Sequence, residues 1–407
     1  MIRSIRFAFD QFGDGLAVAD SLSNDVSLLN ASAAIVWCSL FGGPSTIDEI
    51  HDAVVAFWPV SSEEIGPGIL SILNYFERRG WVECAASGAW HICDQRRADS
   101  SATMKSAGPL SNPMAASVQK LLWSRTVALS SSPIRLELKG SLTNKNTDDF
   151  MRMSGFLSGL PEAEPKSAVK TLSMIFDING VSIETDESRQ EFPDLLKASS
   201  VMVLSLLKLT NPDQSAHTVV HAAAVSCSKG TIILPAISGS GKTTLTAYLT
   251  AKGWRYGGDD IIGLARTSSS GRINLLPFPT AMGIKEGSVD LLLADYPELS
   301  SSPIVSYGNK KVRYTAVDSS GVPPAPDNWR IPRTIVFPSY TANAACELIQ
   351  LSEWESLELL LEAGTGTGAG TDLDSFDLLV ELIKSVPCFR LRYSRLEDAK
   401  AQLEGLL

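Results

Sequence analysis

The stretch from His221 to Leu264 constrains the fold more than any other part of this chain. Thr231 to Leu234 is a short apolar run of the buried-strand kind. Ala236-Ile-Ser-Gly-Ser-Gly-Lys242-Thr243 follows it, and a helical pattern then runs to Gly253. Strand, glycine-rich loop and helix in that order build a phosphate-binding P-loop. Successive loop N–H groups make a concave anion nest, and the helix N-terminus adds positive potential. Ser238, Gly239, Ser240, Gly241, Lys242, Thr243 and Thr244 are therefore the candidate nucleotide-binding residues. Lys242 would neutralise the β- and γ-phosphates, and the Thr243 hydroxyl would hold Mg²⁺. The usual first glycine is Ala236 here, so the bare string reduces to Gly-Lys-Thr/Ser, which average frequencies put in about one chain in five of this length. The flanking strand and helix give the motif its weight. A Cβ at position 236 must also avoid the positive-φ conformations open to glycine.

His221 precedes Lys242 by 21 residues, and Asp259 and Asp260 follow it by 17 and 18. An adjacent acid pair after glycines reads by itself as a solvated turn. Beside a P-loop it becomes a candidate general base and Mg²⁺ ligand, because phosphoryl transfer needs a group that orients the accepting hydroxyl. Two neighbouring carboxylates repel, so one pKa rises toward neutrality unless a cation holds it down. The other histidines carry less. His51 has no partner at metal spacing, and His91 lies near Cys84 and Cys93 without a fourth ligand. His217 lies four residues before His221, but the apolar run between them predicts a strand, on which the two side chains do not converge.

Residues 1–94 read as a separate small domain. Ile5 to Ala19 and Asp25 to Leu29 are strand-like, with Gly13-Asp14-Gly15 and Ser23-Asn24-Asp25 as turns. Ala31 to Phe41 is an apolar-rich helix stopped by Gly42-Gly43-Pro44. Thr46…Glu49 and Ser61…Glu64 are capping boxes for two more helices, the last ended by Gly80, and Trp81-Val-Glu is a short return strand. Hairpin, three helices and a wing make a winged-helix-like unit. Nucleic acid is excluded as its partner by charge: up to Asp94 the basic residues are Arg3, Arg6, Arg78 and Arg79, against twelve acidic ones.

Residues 95–117, rich in Ser, Ala, Gly and Pro, read as a linker. From 118 to 407 the pattern is α/β, with a β-rich part over 118–216 and the nucleotide-binding core over 217–407. Ile134 to Lys139 alternates as a half-buried strand, Asn179-Gly180 marks a hairpin, and Leu195 to Leu209 is an apolar helix. Gly364 to Gly370 matches G-x-G-x-G but follows a helical pattern, so it reads as a surface loop. The fold class is thus α+β multidomain. With 44% hydrophobic and 20% charged residues the composition is that of a folded chain, and the net charge of -10 gives no general attraction to nucleic acid or anionic membrane. No apolar run is long enough to span a membrane, no secretory signal opens the chain, and the six scattered cysteines suit free thiols, so a cytoplasmic protein is expected.

Val26–Phe57 and Ile69–Val82 resemble the PqqD-like family, the recognition element of ribosomally synthesised, post-translationally modified peptides. The resemblance implies a domain that captures the leader of a precursor peptide as an added strand on the Asp25 to Leu29 edge, packed against the helix from Ile65 to Arg79. Ile69, Ile72, Leu73 and Phe76 have the spacing of residues facing the domain's own core. Residues 125–405 resemble the HPr kinase/phosphorylase family and its HPr-related peptide kinases. The similarity is strongest over 217–285 and includes Pro277–Lys285, Arg330–Pro338 and Val386–Tyr393. It implies ATP- and Mg²⁺-dependent transfer of phosphate to a serine hydroxyl. Asp259 is then the base, Asp260 a Mg²⁺ ligand with Thr243, Lys242 the phosphate-binding cation, and His221 a neighbour of the transferred phosphate. Lys285, Arg330 and Arg333 could bind phosphate or acceptor, and their alternative is exposed basic residues on loops. HPr kinases assemble as rings, so a homo-oligomer is open on the same ground. The Mg²⁺-binding Glu of HPr kinases proper has no counterpart in Leu275–Lys285, and Glu286 is out of register; a kinase without phosphorolysis activity is the expectation. Two other readings stand beside a precursor-peptide kinase: a kinase of a small molecule or carrier protein, and a nucleotide-responsive peptide chaperone without catalysis.

Overall fold

The computed structural model describes residues 2–4, 6–13, 15–41, 43–57, 62–93, 120–129, 133–143, 146–164, 170–177, 180–186, 188–212, 214–267, 270–307, 310–317, 329–364 and 372–407. The fold is mixed α+β, with several small sheets and one mixed six-stranded sheet. The expected linker over 95–117, the glycine run after Gly364, and the residues Asp14, Ser61 and Asn179 lie outside the described residues. The chain divides into two compact units, Met1–Asn112 with Thr371–Asp377, and Pro113–Gly370 with Leu378–Leu407.

In the first unit, Ile2–Arg3, Phe7–Phe12, Gly15–Asp20 and Asp25–Leu29 form an antiparallel sheet in sequence order. Helices Ala31–Phe41, Ile47–Phe57 and Ser62–Arg78 follow, and then the hairpin Val82–Cys84 with Trp90–Ile92. The local signals act as the sequence predicts. Thr46 N–H donates to Glu49 Oε2 at 2.7 Å while Glu49 N–H donates to Thr46 Oγ1 at 3.3 Å, a reciprocal cap. The third helix stops at Gly80, whose φ of 66° lets Trp81 N–H reach back to the Phe76 carbonyl at 2.9 Å. Ile69, Leu73 and Phe76 are buried and Ile72 packs beside them. Phe7, Trp37, Phe76 and Trp81 make a ring cluster with centroids 5.0–5.9 Å apart.

A buried ion pair ties this unit together. Arg6 Nε donates to Asp20 Oδ1 at 2.7 Å, Arg6 Nη1 donates to the Gly80 and Cys93 carbonyls, and Trp81 Nε1 donates to Asp20 Oδ2 at 3.1 Å. Of the few basic residues, Arg6 is therefore spent inside, and Arg79 pairs with Asp25 at 3.2 Å.

The second unit begins with a five-stranded sheet in the order Arg189–Phe192, Gly180–Thr185, Lys170–Asp177, Ile134–Gly140, Leu121–Val127. The one parallel pair, Ile134–Gly140 with Lys170–Asp177, is joined through helix Thr147–Leu157, and helix Leu195–Thr210 packs on the sheet. The six-stranded sheet runs Arg255–Gly258, Ala222–Cys227, Gly230–Pro235, Pro332–Tyr340, Cys388–Tyr393, Glu347–Gln350. Its three central members, Gly230–Pro235, Pro332–Tyr340 and Cys388–Tyr393, are parallel. Two smaller sheets flank it: Gln214–Val220, Ile262–Thr267, Ile273–Leu276, and Met282–Lys285, Lys310–Thr315, Ile304–Tyr307. No helix of the described residues is long and apolar enough to cross a membrane.

Burial alone would raise the Asp20 carboxyl, but the Arg6 fork, the Leu22 amide and the Ser23 hydroxyl outweigh it and hold the group below its ordinary value. Asp20→Ala strands the Arg6 charge and should destabilise the first unit by about 3–5 kcal/mol, read by denaturant titration. In the unaltered protein this contribution is complete above the ordinary aspartate pKa of about 3.9 and fades as pH falls through the lowered value.

Candidate functional site

Strand direction gathers the site. Gly230–Pro235 delivers the chain into the glycine-rich loop at its C-terminal end. Ala222–Cys227 pairs with it antiparallel, Ala222 opposite Pro235, so His221 sits at that same edge. Arg255–Gly258 is antiparallel to Ala222–Cys227 in turn, so it also ends there and releases Asp259 and Asp260 beside the loop. Residues distant in sequence thus meet at the C-terminal ends of the parallel strands, where open α/β sheets bind ligands.

The loop is held by its neighbours. Gly241 has φ 87° and caps helix Lys242–Ala251. A Cβ there would lie 2.5 Å from Tyr393 Oη and 2.9 Å from Tyr340 Cβ. Tyr340 N–H donates to the Ser240 carbonyl at 2.8 Å and Tyr393 Oη donates to the Gly241 carbonyl at 3.2 Å. Gly239 has φ 100° and faces open space. Ala236 is buried and has no positive φ, so the missing first glycine imposes no strain. The helix ends as predicted: Gly253 has φ 88° and Trp254 N–H returns to the Leu249 carbonyl at 3.1 Å.

Lys242 is 6% exposed and donates from Nζ to the Asp259 carbonyl at 2.6 Å. Its Nζ lies 3.9 Å from Asp260 Oδ1. The two carboxylates have opposite environments. Asp259 is 3% exposed with Oδ1 unpartnered, and burial, reinforced by Asp260, raises its pKa against the lowering effect of Lys242 and the Thr243 side chain. Asp260 is 54% exposed at its side chain. The His221 hydrogen bond and the charge of Lys242 hold it well below the usual carboxylate range.

His221 is clamped on both sides. Nε2 contacts Asp260 Oδ1 at 2.8 Å and Nδ1 contacts the Ala363 carbonyl at 2.9 Å, while its backbone N–H donates to the Gly364 carbonyl at 2.9 Å. Both ring partners are acceptors, so the imidazole meets both only with a hydrogen on each nitrogen. The clamp is the C-terminal end of helix Glu353–Ala363, the negative end of its dipole.

Three cations reach this site that the loop string does not announce. Lys285 and Lys310 donate to Ser238 Oγ at 3.1 and 3.0 Å. Arg152, from helix Thr147–Leu157, adds its charge to those lowering Asp260. Lys285 stood among the sequence candidates; Lys310 and Arg152 had no motif to mark them. Thr244 donates to Ser288 Oγ at 2.9 Å. Ser240 Oγ is buried and unpartnered.

Arg330 and Arg333 are not part of this gathering. Pro332 is paired with Thr231, at the start of the parallel strands, whereas Tyr340 meets the loop at their end. Eight residues of strand put these arginines on the order of 20 Å from the loop. Arg333 packs instead at Gly230 and Leu407, and Arg330 near the Trp329 ring. Basic character located them; strand direction removes them. His91 pairs with Glu83 across a hairpin, and Glu286 pairs with Arg313. His217 lies on strand Gln214–Val220, as its apolar neighbours predict. Among the described residues no group of three or more His, Cys, Asp or Glu is placed to hold a metal on its own.

An amide-rich loop capping a helix, with a buried lysine and further cations around it, is chemically suited to a polyphosphate. Asp260 and the Thr243 hydroxyl are hard oxygen donors of the kind Mg²⁺ takes together with phosphate oxygens, and Asp260 Oδ2 has no protein partner among the described residues. No protein-family model matches the chain, and no curated protein matches it in sequence.

Gly241→Ala combines a left-handed φ with a blocked Cβ, and should cost about 2 kcal/mol or more in denaturant titration; Gly239→Ala, with open space, should cost only the φ strain of about 1 kcal/mol.

Proposed function

We propose that the chain is an ATP-dependent kinase of the HPr-kinase-like kind, with a PqqD-like unit ahead of it, that phosphorylates a serine hydroxyl of a ribosomally made precursor peptide. The observation that carries the reading is the convergence of Lys242, Asp259, Asp260 and His221 on one glycine-rich loop at one sheet edge. A phosphate site alone needs the loop and the lysine. Two carboxylates with opposite pKa shifts beside it suit a transfer reaction.

In this reading the loop amides and Lys242 bind the phosphates of ATP. Asp259, buried and raised in pKa, takes the proton of the accepting hydroxyl. The hydroxyl oxygen forms its bond to the terminal phosphorus as the bond to the bridging oxygen breaks, and ADP leaves with that electron pair. Thr243 and Asp260 would hold Mg²⁺, which would supply neutralisation of charge on the phosphate oxygens. His221, fixed by the Ala363 carbonyl, keeps Asp260 in place beside the reacting phosphate.

Peptide capture is supported by the first unit. Among the described residues, strand Asp25–Leu29 is bonded on one side only, to Gly15–Asp20. Arg79 pairs with Asp25 and lies over the Tyr75 ring, and Tyr75 and Leu70 of the third helix are exposed. An open edge beside apolar side chains suits an added peptide strand, and capture there raises the effective concentration of the acceptor.

The test is the intact mass of a precursor peptide incubated with the protein, ATP and Mg²⁺, with and without its leader. A gain of one phosphoryl group that depends on the leader is expected; ATP binding without any gain would sink the peptide-kinase reading. Asp259→Asn should lower the rate by about a hundred- to ten-thousand-fold. The base form of Asp259 grows as pH rises through its raised pKa, so the acid limb of the rate profile should lie above that of an ordinary aspartate and vanish in the variant.

A further inference from the structure

Lys285 ends strand Met282–Lys285, and Lys310 opens strand Lys310–Thr315, which pairs with it. From there both ammonium groups reach one neutral oxygen, Ser238 Oγ, at 3.1 and 3.0 Å. Among the described residues neither lysine is paired with a carboxylate. A hydroxyl accepts two hydrogen bonds but cancels no charge, so the pair leaves positive charge uncompensated, and each ammonium keeps further N–H donors. Lys285 has its pKa pulled down by partial burial and by Lys310 and Lys242, while Asp260 and Asp259 push it the opposite way. It therefore lies within electrostatic reach of both the loop lysine and the acid pair. An anion of high local charge suits such a place. A terminal phosphate carries close to two negative charges and three acceptor oxygens, which an internal phosphate does not.

We propose that Lys285, Lys310 and Ser238 form a subsite for the terminal phosphate of a bound nucleoside triphosphate, distinct from the loop amides and Lys242 that serve the phosphates shared by di- and triphosphates. The inference rests on the nucleotide-binding reading above and adds to it which residues tell ATP from ADP.

Calorimetric titration of the full chain with Mg²⁺-ATP and Mg²⁺-ADP tests it, using Lys285→Met, Lys310→Met, the double variant and Lys310→Arg. The double variant should lose about tenfold or more in ATP affinity and less than about threefold for ADP, with Lys310→Arg close to the unaltered protein. ADP binding serves as the check on folding, and the single variants report if the double variant fails it. Unchanged ATP affinity, as an acidic acceptor at this pair would give, overturns the proposal. Equal losses for both nucleotides in the single variants overturn it too. An unaltered protein that binds neither nucleotide overturns the kinase reading itself, a separate result.

Discussion

The rest of the site depends on the antiparallel pairing of Ala222–Cys227 with Gly230–Pro235. That register, Ala222 opposite Pro235, places His221 beside the mouth of the glycine-rich loop. The next pairing, Ala224 opposite Gly258, brings the acid pair to the same edge. Neither placement uses a side-chain contact; both follow from main-chain hydrogen bonds and strand direction. The alanines at 222–224 are fully buried, and small side chains there let neighbouring backbone come close: a Cβ on Gly257 would lie 3.1 Å from the Ala224 side chain. The sheet fixes the geometry first, and the chemistry is attached to its ends.

The loop is then positioned from the opposite side. Strands Pro332–Tyr340 and Cys388–Tyr393 run parallel and in register, so Tyr340 and Tyr393 come out side by side with rings 5.9 Å apart. They touch the loop at Ser240 and Gly241 and leave Gly239 free. This division has a physical sense. The end of the loop that begins the helix is rigid and bound to the sheet, while Ser238 and Gly239 face solvent, where a ligand can reach them and where Lys285 and Lys310 already lie.

What the sequence made legible was local. Strand, loop and helix could be read because each leaves a pattern within a few residues, and so could the stops at Gly80 and Gly253, whose positive φ is a local demand. The acid pair and His221 were legible as candidates because they flank the loop in sequence. Lys310, Arg152 and the Ala363 carbonyl were not. Each arrives from an element with its own pairing or packing, and Ala363 contributes only a main-chain oxygen, which has no residue signature. Arg330 and Arg333 show the reverse. Their charge made them candidates, yet charge carries no information on which end of a strand a residue occupies. Only the parallel pairing that starts at Thr231 and Pro332 puts them away from the loop.

The acid pair shows why neighbouring identical residues can have different chemistry. Asp259 turns inward, where a charge is poorly solvated; Lys242 beside it spends a hydrogen bond on the Asp259 carbonyl rather than its carboxylate. Asp260 turns outward to His221, whose second nitrogen is satisfied by a helix C-terminus. Asp260, kept ionised by its His221 hydrogen bond and by Lys242, makes ionisation of Asp259 harder. Such coupling separates two aspartates, equal in sequence, into one carboxyl of raised and one of lowered pKa. The two carboxylates are coupled, so a substitution at His221 reaches Asp259 both directly and through Asp260, with opposite signs.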